Sequence, residues 1–211
     1  GADEWEPAAR CALRLCWRNW AGQMHNDYTI VVPSRKRTHN MATIRALLPT
    51  ALICVDERER EDYAPLVPAG QLLVHPRMDG LFAVINWCMD HIDAECLIEI
   101  DDDFCGVQVT TGAKRFITDP IEILAILENA MVACRDLELS AFCFSRTPNT
   151  TVIRPDERPF VPVQSVCNAF GVMGAARRRH YDTRYLGRGD VDWTLRTLLL
   201  DRAVLADVRY Y

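Results

Sequence analysis

The sequence predicts an α/β fold with a mostly parallel central sheet flanked by helices. Three observations predict it. Runs rich in Val, Ile and Leu recur at 28–32, 51–55, 71–75 and 96–100, each the length of a buried strand. Segments of helical spacing fall between them. The resulting strand–helix order calls for right-handed crossovers between parallel strands.

In chain order, residues 1–27 read as a helical lead-in, because Ala8, Cys11, Ala12, Leu15 and Cys16 repeat at helical spacing. Tyr28-Thr29-Ile30-Val31-Val32 is the first strand, closed by Pro33. A helix starts near Thr38 and runs through Ile44 and Leu47 until Pro49. The second strand, at 51–55, leads into an acidic run from Asp56 to Asp62. The third strand, at 71–75, precedes an amphipathic helix carrying Leu81, Val84, Ile85, Cys88 and Met89 on one face. Cys96-Leu97-Ile98-Glu99-Ile100 is the fourth strand. Asp119-Pro120-Ile121-Glu122 is a helix start, with Asp119 as cap and Pro120 in the first turn. That helix runs to about Arg135, and a strand follows at 139–145. Residues 146–158 read as loop and 160–166 as extended. A last helix fits Val191, Leu195, Leu198 and Leu199, with a short strand near Val204. One domain spanning 28–211 is the simplest organisation.

Composition narrows the function. The chain has 211 residues, about half of them hydrophobic, and a net charge of -5. The charge argues against sequence-blind coating of DNA, though not against a local basic groove. No apolar run approaches the roughly 20 residues of a membrane span, so no membrane partner is expected. None of the nine cysteines forms a Cys-x-x-Cys pair, which argues against a zinc ribbon. They read as reduced thiols of a cytoplasmic protein.

The strongest chemical signal is Asp101-Asp102-Asp103 at the exit of the fourth strand. Three adjacent carboxylates repel one another unless a cation binds. Alternate residues of an extended segment face the same way, so Asp101 and Asp103 can aim at one Mg²⁺ or Mn²⁺. Open parallel sheets bind ligands beyond the carboxyl ends of their strands. There the first strand ends at Pro33-Ser34-Arg35, the second at Asp56, and the third at Arg77 and Gly80. Asp56 and the backbone near Pro33 can hold a base or ribose. Arg35 or Arg77 can neutralise a diphosphate, and Gly80 opens a helix whose amino end favours an anion.

A second group lies nearer the C-terminus. Asp190 and Asp192 precede an apolar helix. Asp190 can cap that helix, act as a general base toward an acceptor hydroxyl, or do both. Phe170 and Gly171 offer a wall for an acceptor pocket or a core aromatic beside a turn. Arg177-Arg178-Arg179 are candidates for phosphate contact, and His180 for a third metal ligand. No Gly-x-x-x-x-Gly-Lys loop is present, which sets aside an ATPase reading of the aspartates.

Taken in order, Ile30-Val31-Val32-Pro33-Ser34-Arg35, Asp56-Glu57, Arg77…Gly80…Asn86-Trp87 and Ile100-Asp101-Asp102-Asp103 resemble the nucleotide-sugar glycosyltransferases of the Rossmann-like GT-A fold. Gly189-Asp190-Val191-Asp192-Trp193 with Asp207-Val208-Arg209-Tyr210 resembles, more closely, the TET-associated glycosyltransferases of bacteriophage DNA hypermodification. The resemblance implies sugar transfer from a nucleoside diphosphate sugar, UDP-glucose or a related donor, to 5-hydroxymethylcytosine in DNA. It also implies a functionally linked TET-like dioxygenase that makes the acceptor. By this likeness Asp101 and Asp103 hold Mn²⁺ or Mg²⁺, Asp102 belongs to the donor site, and Asp190 or Asp192 is the base. Related transferases commonly carry Glu-Asp at the start of the last helix, where this chain has Gly189-Asp190. A protein or glycan acceptor, or a catalytically silent nucleotide-sugar or nucleic-acid binding module, are the alternatives.

Overall fold

In the computed structural model, residues 28–112, 115–162, 164–185 and 187–211 are described. The expected helical lead-in at 1–27 lies outside them. An eight-stranded sheet runs in the order β3-β2-β1-β4-β9-β7-β10-β8. Its strands are β1 Tyr28–Ser34, β2 Leu52–Asp56, β3 Leu72–His75, β4 Cys96–Ile100, β7 Ala141–Phe144, β8 Phe160–Val161, β9 Ala169–Met173 and β10 Leu205–Asp207. A hairpin of β5 Val107–Val109 and β6 Arg115–Ile117 stands apart from the sheet. The helices are α1 Met41–Leu47, α2 Arg60–Tyr63, α3 Leu81–His91, α4 Pro120–Asp136, α5 Thr150–Ile153 and α6 Gly189–Asp201. No described helix is long and apolar enough to cross a membrane.

The continuous apolar runs become strands covered on both faces. Ile30, Val32, Ile98 and Ile100 pack toward α1 and α4, while Val31, Leu97 and Cys54 pack toward α3 and α6. Asp119 caps α4 through the amide of Ile121, with Pro120 in its first turn. Strands β1, β2, β3 and β4 are mutually parallel, which sets Ser34, Asp56, His75 and Asp101 along one carboxyl edge.

Two departures matter for the site. The acidic run after β2 forms a 3₁₀ turn, Glu57–Glu59, and then α2. More consequentially, residues 169–173 form β9, antiparallel to both β4 and β7. The expected wall of an acceptor pocket is thus an interior strand. Phe170 is buried and packs 6.3 Å from Tyr181 and Trp193. Gly171 is there because Phe142 presses against its backbone: a Cβ at this position would meet the Phe142 ring at 2.2 Å. Gly171→Ala should therefore cost about 1–3 kcal/mol through overpacking, measured as a lower urea midpoint with an unchanged m-value.

Candidate active site at the carboxyl edge of the sheet

A cleft of about 340 Å³ opens where β1, β2, β3 and β4 end, lined by Pro33, Ser34, Arg35, Asp56, Gly80 and Asp101–Asp102 among others. The turn after β1 is tightly pinned. The Ser34 hydroxyl donates to Asp102 Oδ2 at 2.9 Å and lies 2.8 Å from the Tyr63 hydroxyl. The Lys36 amide donates to Glu59 at 2.7 Å, and the Arg37 amide to Tyr63 at 3.0 Å. Lys36 sits at φ 58, a conformation these bonds hold. Pro33 and Ser34 are thereby fixed as a rigid wall.

The three aspartates differ in setting. Asp102 faces Ser34 and Arg37, whose Nε lies 3.5 Å away. Asp103 pairs with Arg37 Nη1 at 3.2 Å. Asp101 accepts no hydrogen bond on its side chain among the described residues, while its backbone amide donates to the Asn168 carbonyl at 2.9 Å. Burial first, then the charges of Asp103 and Asp102, push the Asp101 carboxyl up to about 6.

Among the described residues, no group of three or more His, Cys, Asp or Glu side chains converges in a way that could hold a metal ion. Asp101 and Asp103 nonetheless suit a Mg²⁺ or Mn²⁺ completed by substrate phosphates and water, the usual arrangement for one or two protein carboxylates. A half-buried carboxyl crowded by like charges has its ionised form stabilised by such a cation.

Other expected donor residues are placed unevenly. Asp56 lines the cleft but is buried, and Arg58 grips it through Nε at 2.7 Å and Nη2 at 2.5 Å. This pairing holds its carboxyl well below the usual range. Any base or ribose contact must share oxygens with that guanidinium. Arg35 lines the cleft with its guanidinium 3.9 Å from Glu59. Arg77 is exposed and outside the cleft lining, because Pro76 and the bond from its amide to Glu57 carry it past the edge. Gly80, at φ 91, gives the cleft the open amino end of α3.

The basic cluster is not at this edge. Strand β9 runs antiparallel to β4, so Met173 pairs with Cys96 at the opposite end. Arg177 donates to the carbonyls of Met89 and Ile92 at the last turn of α3. Arg179 pairs with Asp201 at 2.9 Å. His180 Nε2 lies 2.8 Å from Asp90, near the last turn of the 11-residue α3, whose first turn faces the cleft. That length is roughly 16 Å, so His180 is no ligand to a metal held by Asp101. Arg178 is exposed at the same far edge. Arg178→Ala should leave the acceptor KM within about twofold, as expected of a solvated surface charge, checked by steady-state transfer kinetics.

Asp190 lies outside the cleft lining. It lies in the first turn of α6 without capping it, since Arg188 holds the cap position. Ser165 Oγ donates to its Oδ2 at 3.3 Å, and Arg146 Nη2 stands 3.8 Å away. Cys167, just before Asn168, feels the charges of Arg146, Asp190 and Asp101, which ties this corner to the aspartates. Asp192 points elsewhere, paired with Arg196 at 2.9 Å. Gly189 is dictated by packing: a Cβ there would meet the Phe82 ring at 2.5 Å, and that ring stacks on Tyr181 at 4.9 Å. An added side chain would displace this stack, so the Glu-Asp pair that the family resemblance implies is sterically excluded at 189–190. Tyr63 and Arg146 were not singled out from sequence, whereas Asn168 opens the Asn168-Ala169-Phe170-Gly171 segment read as a pocket wall. Arg37 belongs to the basic run 35–37, which the sequence offers as a phosphate contact.

An open, mostly parallel sheet with a carboxylate pair beyond β4 and a second carboxylate at the start of the last helix defines a nucleotide-binding α/β fold of the GT-A kind. Solved structures agree on the fold. Staphylococcus aureus TarS, residues 1–349, is 11% identical with a TM-score of 0.54, over 88% of this chain and 60% of that one. The mannosyltransferase PcManGT from Pyrobaculum calidifontis, in complex with GDP-Man and Mn²⁺, is 13% identical with a TM-score of 0.54, over 86% of this chain and 54% of that one. Glucosyl-3-phosphoglycerate synthase from Mycobacterium tuberculosis, with Mn²⁺, UDP-glucose and phosphoglyceric acid, is 10% identical with a TM-score of 0.52, over 88% of this chain and 71% of that one. The chain thus spans little more than half the length of the first two. No curated protein matches the sequence. The family model described as TET-Associated Glycosyltransferase matches residues 28–205. The chain belongs to that family of glycosyltransferases.

Proposed function

We propose that this protein transfers a sugar from a nucleoside diphosphate sugar, a UDP-sugar such as UDP-glucose, to the hydroxyl of 5-hydroxymethylcytosine in DNA. The reading rests on Asp101 beside Asp102 and Asp103 at the end of β4, and on Asp190, held by Ser165 and Arg146, near Cys167, which also feels the Asp101 charge. Membership of the TET-associated family supports the DNA acceptor and a TET-like dioxygenase as its source.

The β1 turn, walled by Pro33 and Ser34 and flanked by Asp56, orients the nucleotide. Arg35 and Arg37 supply positive charge to the diphosphate. Asp101 and Asp103 would hold Mn²⁺ or Mg²⁺, which when bound stabilises charge on the departing diphosphate. Asp190 takes the proton of the acceptor hydroxyl. The acceptor oxygen then bonds to the anomeric carbon as the bond from that carbon to the diphosphate oxygen breaks. Asp192 is instead engaged by Arg196 at 2.9 Å along the helix.

Mass spectrometry of nucleosides from hydroxymethylated DNA, incubated with the protein, Mn²⁺ and a panel of sugar donors, tests the reading. A hexose or pentose adduct on hydroxymethylcytosine is expected. Adducts confined to polypeptides or glycans added to the same incubation would refute the DNA acceptor.

A further inference from the structure

A second cavity, of about 400 Å³, adjoins the first at the aspartates: Asp101 lines both, and Asp103 lines this one. Its floor is apolar, from Ile123, Ile126 and Phe144, and aromatic side chains stand around it. Phe116 of the β5–β6 hairpin is 54% exposed and Tyr211 41% exposed, although each lines this cavity. Exposed rings lining a partly apolar pocket suit stacking against a flat partner. Two primary amides also line it. Asn168, held at φ 52, spends its backbone carbonyl on the Asp101 amide, while its side chain has no partner among the described residues. Gln108 is tied to Tyr211 through backbone bonds of 2.7 and 2.9 Å, which leaves its side-chain amide unengaged.

We infer that this cavity receives a single pyrimidine base turned out of the nucleic-acid strand. The 5-hydroxymethyl group then points toward the mouth beside Asp101, and Asn168 contacts the base edge. The inference rests on the nucleic-acid acceptor proposed above and adds where and how the acceptor is held. The volume lies within the range of small-molecule pockets, about 300–1,000 Å³, and takes one nucleoside but no stacked duplex. A carboxamide presents a donor and an acceptor together, as the Watson–Crick edge of cytosine requires. Base-modifying enzymes bind an extruded base in this manner, between apolar or aromatic walls with hydrogen bonds to its edge. The cavity takes over the role that sequence reasoning gave to Phe170 and Gly171.

The test uses an oligonucleotide with one 5-hydroxymethylcytosine flanked by 2-aminopurine, with UDP-glucose and Mn²⁺. For the native protein, 2-aminopurine fluorescence rises on binding as the neighbouring base leaves the stack. Phe116→Ala and Asn168→Gly should each raise the acceptor KM about tenfold, the scale of one lost base–aromatic or base-edge contact. Glycine keeps the positive φ of residue 168. The UDP-glucose Kd from calorimetry and the melting temperature should stay unchanged. Transfer by the native protein with no change of acceptor KM in either variant would overturn the pocket while leaving the acceptor reading intact. A weaker UDP-glucose Kd in the variants would assign the cavity to the donor and also overturn it. Donor hydrolysis with no transfer to any hydroxymethylated DNA would remove the acceptor reading itself, and the base pocket with it.

Discussion

Asp101→Asn is expected to lower sugar transfer by about 10³-fold, because charge stabilisation by a bound divalent ion is worth several kcal/mol at the transition state. Asp101 is the carboxylate to test, being the one member of the trio whose side chain has no partner among the described residues. Asparagine keeps the shape and the backbone bond to Asn168 while removing the charge. Fold stability should hold or rise, since the native carboxyl is half-buried among like charges. The measurement is donor hydrolysis against Mn²⁺ concentration. The native protein should saturate, and the variant should show only a small, metal-independent rate. Unchanged Mn²⁺ dependence in Asp101→Asn would place the metal elsewhere.

Asp190→Asn should lower kcat for transfer by about 10²–10⁴-fold, the usual contribution of a general base. Donor affinity should be unaffected, because Asp190 lies outside the donor cleft. The bond from Ser165 and the nearness of Arg146 fix its carboxylate, so an isosteric amide keeps the local packing. Asp192→Asn provides the contrast. Its ion pair with Arg196 lies partly exposed on the helix surface, and its loss should cost about 0.5 kcal/mol of stability with near-normal kcat. The reverse pattern, a silent Asp190→Asn and a crippled Asp192→Asn, would exchange the two roles. Calorimetric titration of donor and single-turnover transfer separate binding from chemistry.

The parts of this site legible in the sequence are those whose signal is local. Strand β4 and its aspartates are a run of five buried residues followed at once by charge. The Pro33-Ser34-Arg35 turn follows a strand whose period was plain. What stayed illegible depended on long-range pairing. Strand β9 has five residues with a glycine at its centre, and only its partners β4 and β7 make it a strand. Missing it reversed the direction of the chain for the next ten residues. Arg177, Arg179 and His180, read as facing phosphate or metal, instead tie the far end of α3 and α6 to the sheet. Arg146 sits in a Pro- and Asn-rich loop, where nothing local announces its approach to Asp190. The strands of the β5–β6 hairpin have three residues each, too short for an alternating pattern to register.

The guanidinium of Arg37, seated against Asp102 and Asp103, has a consequence for the order of events. Arg37 supplies a counter-ion to two of the three carboxylates of the acidic corner. An ion held by Asp101 and Asp103 would compete with Arg37 for the Asp103 carboxylate. In that event the Arg37 guanidinium would be available to a diphosphate leaving group.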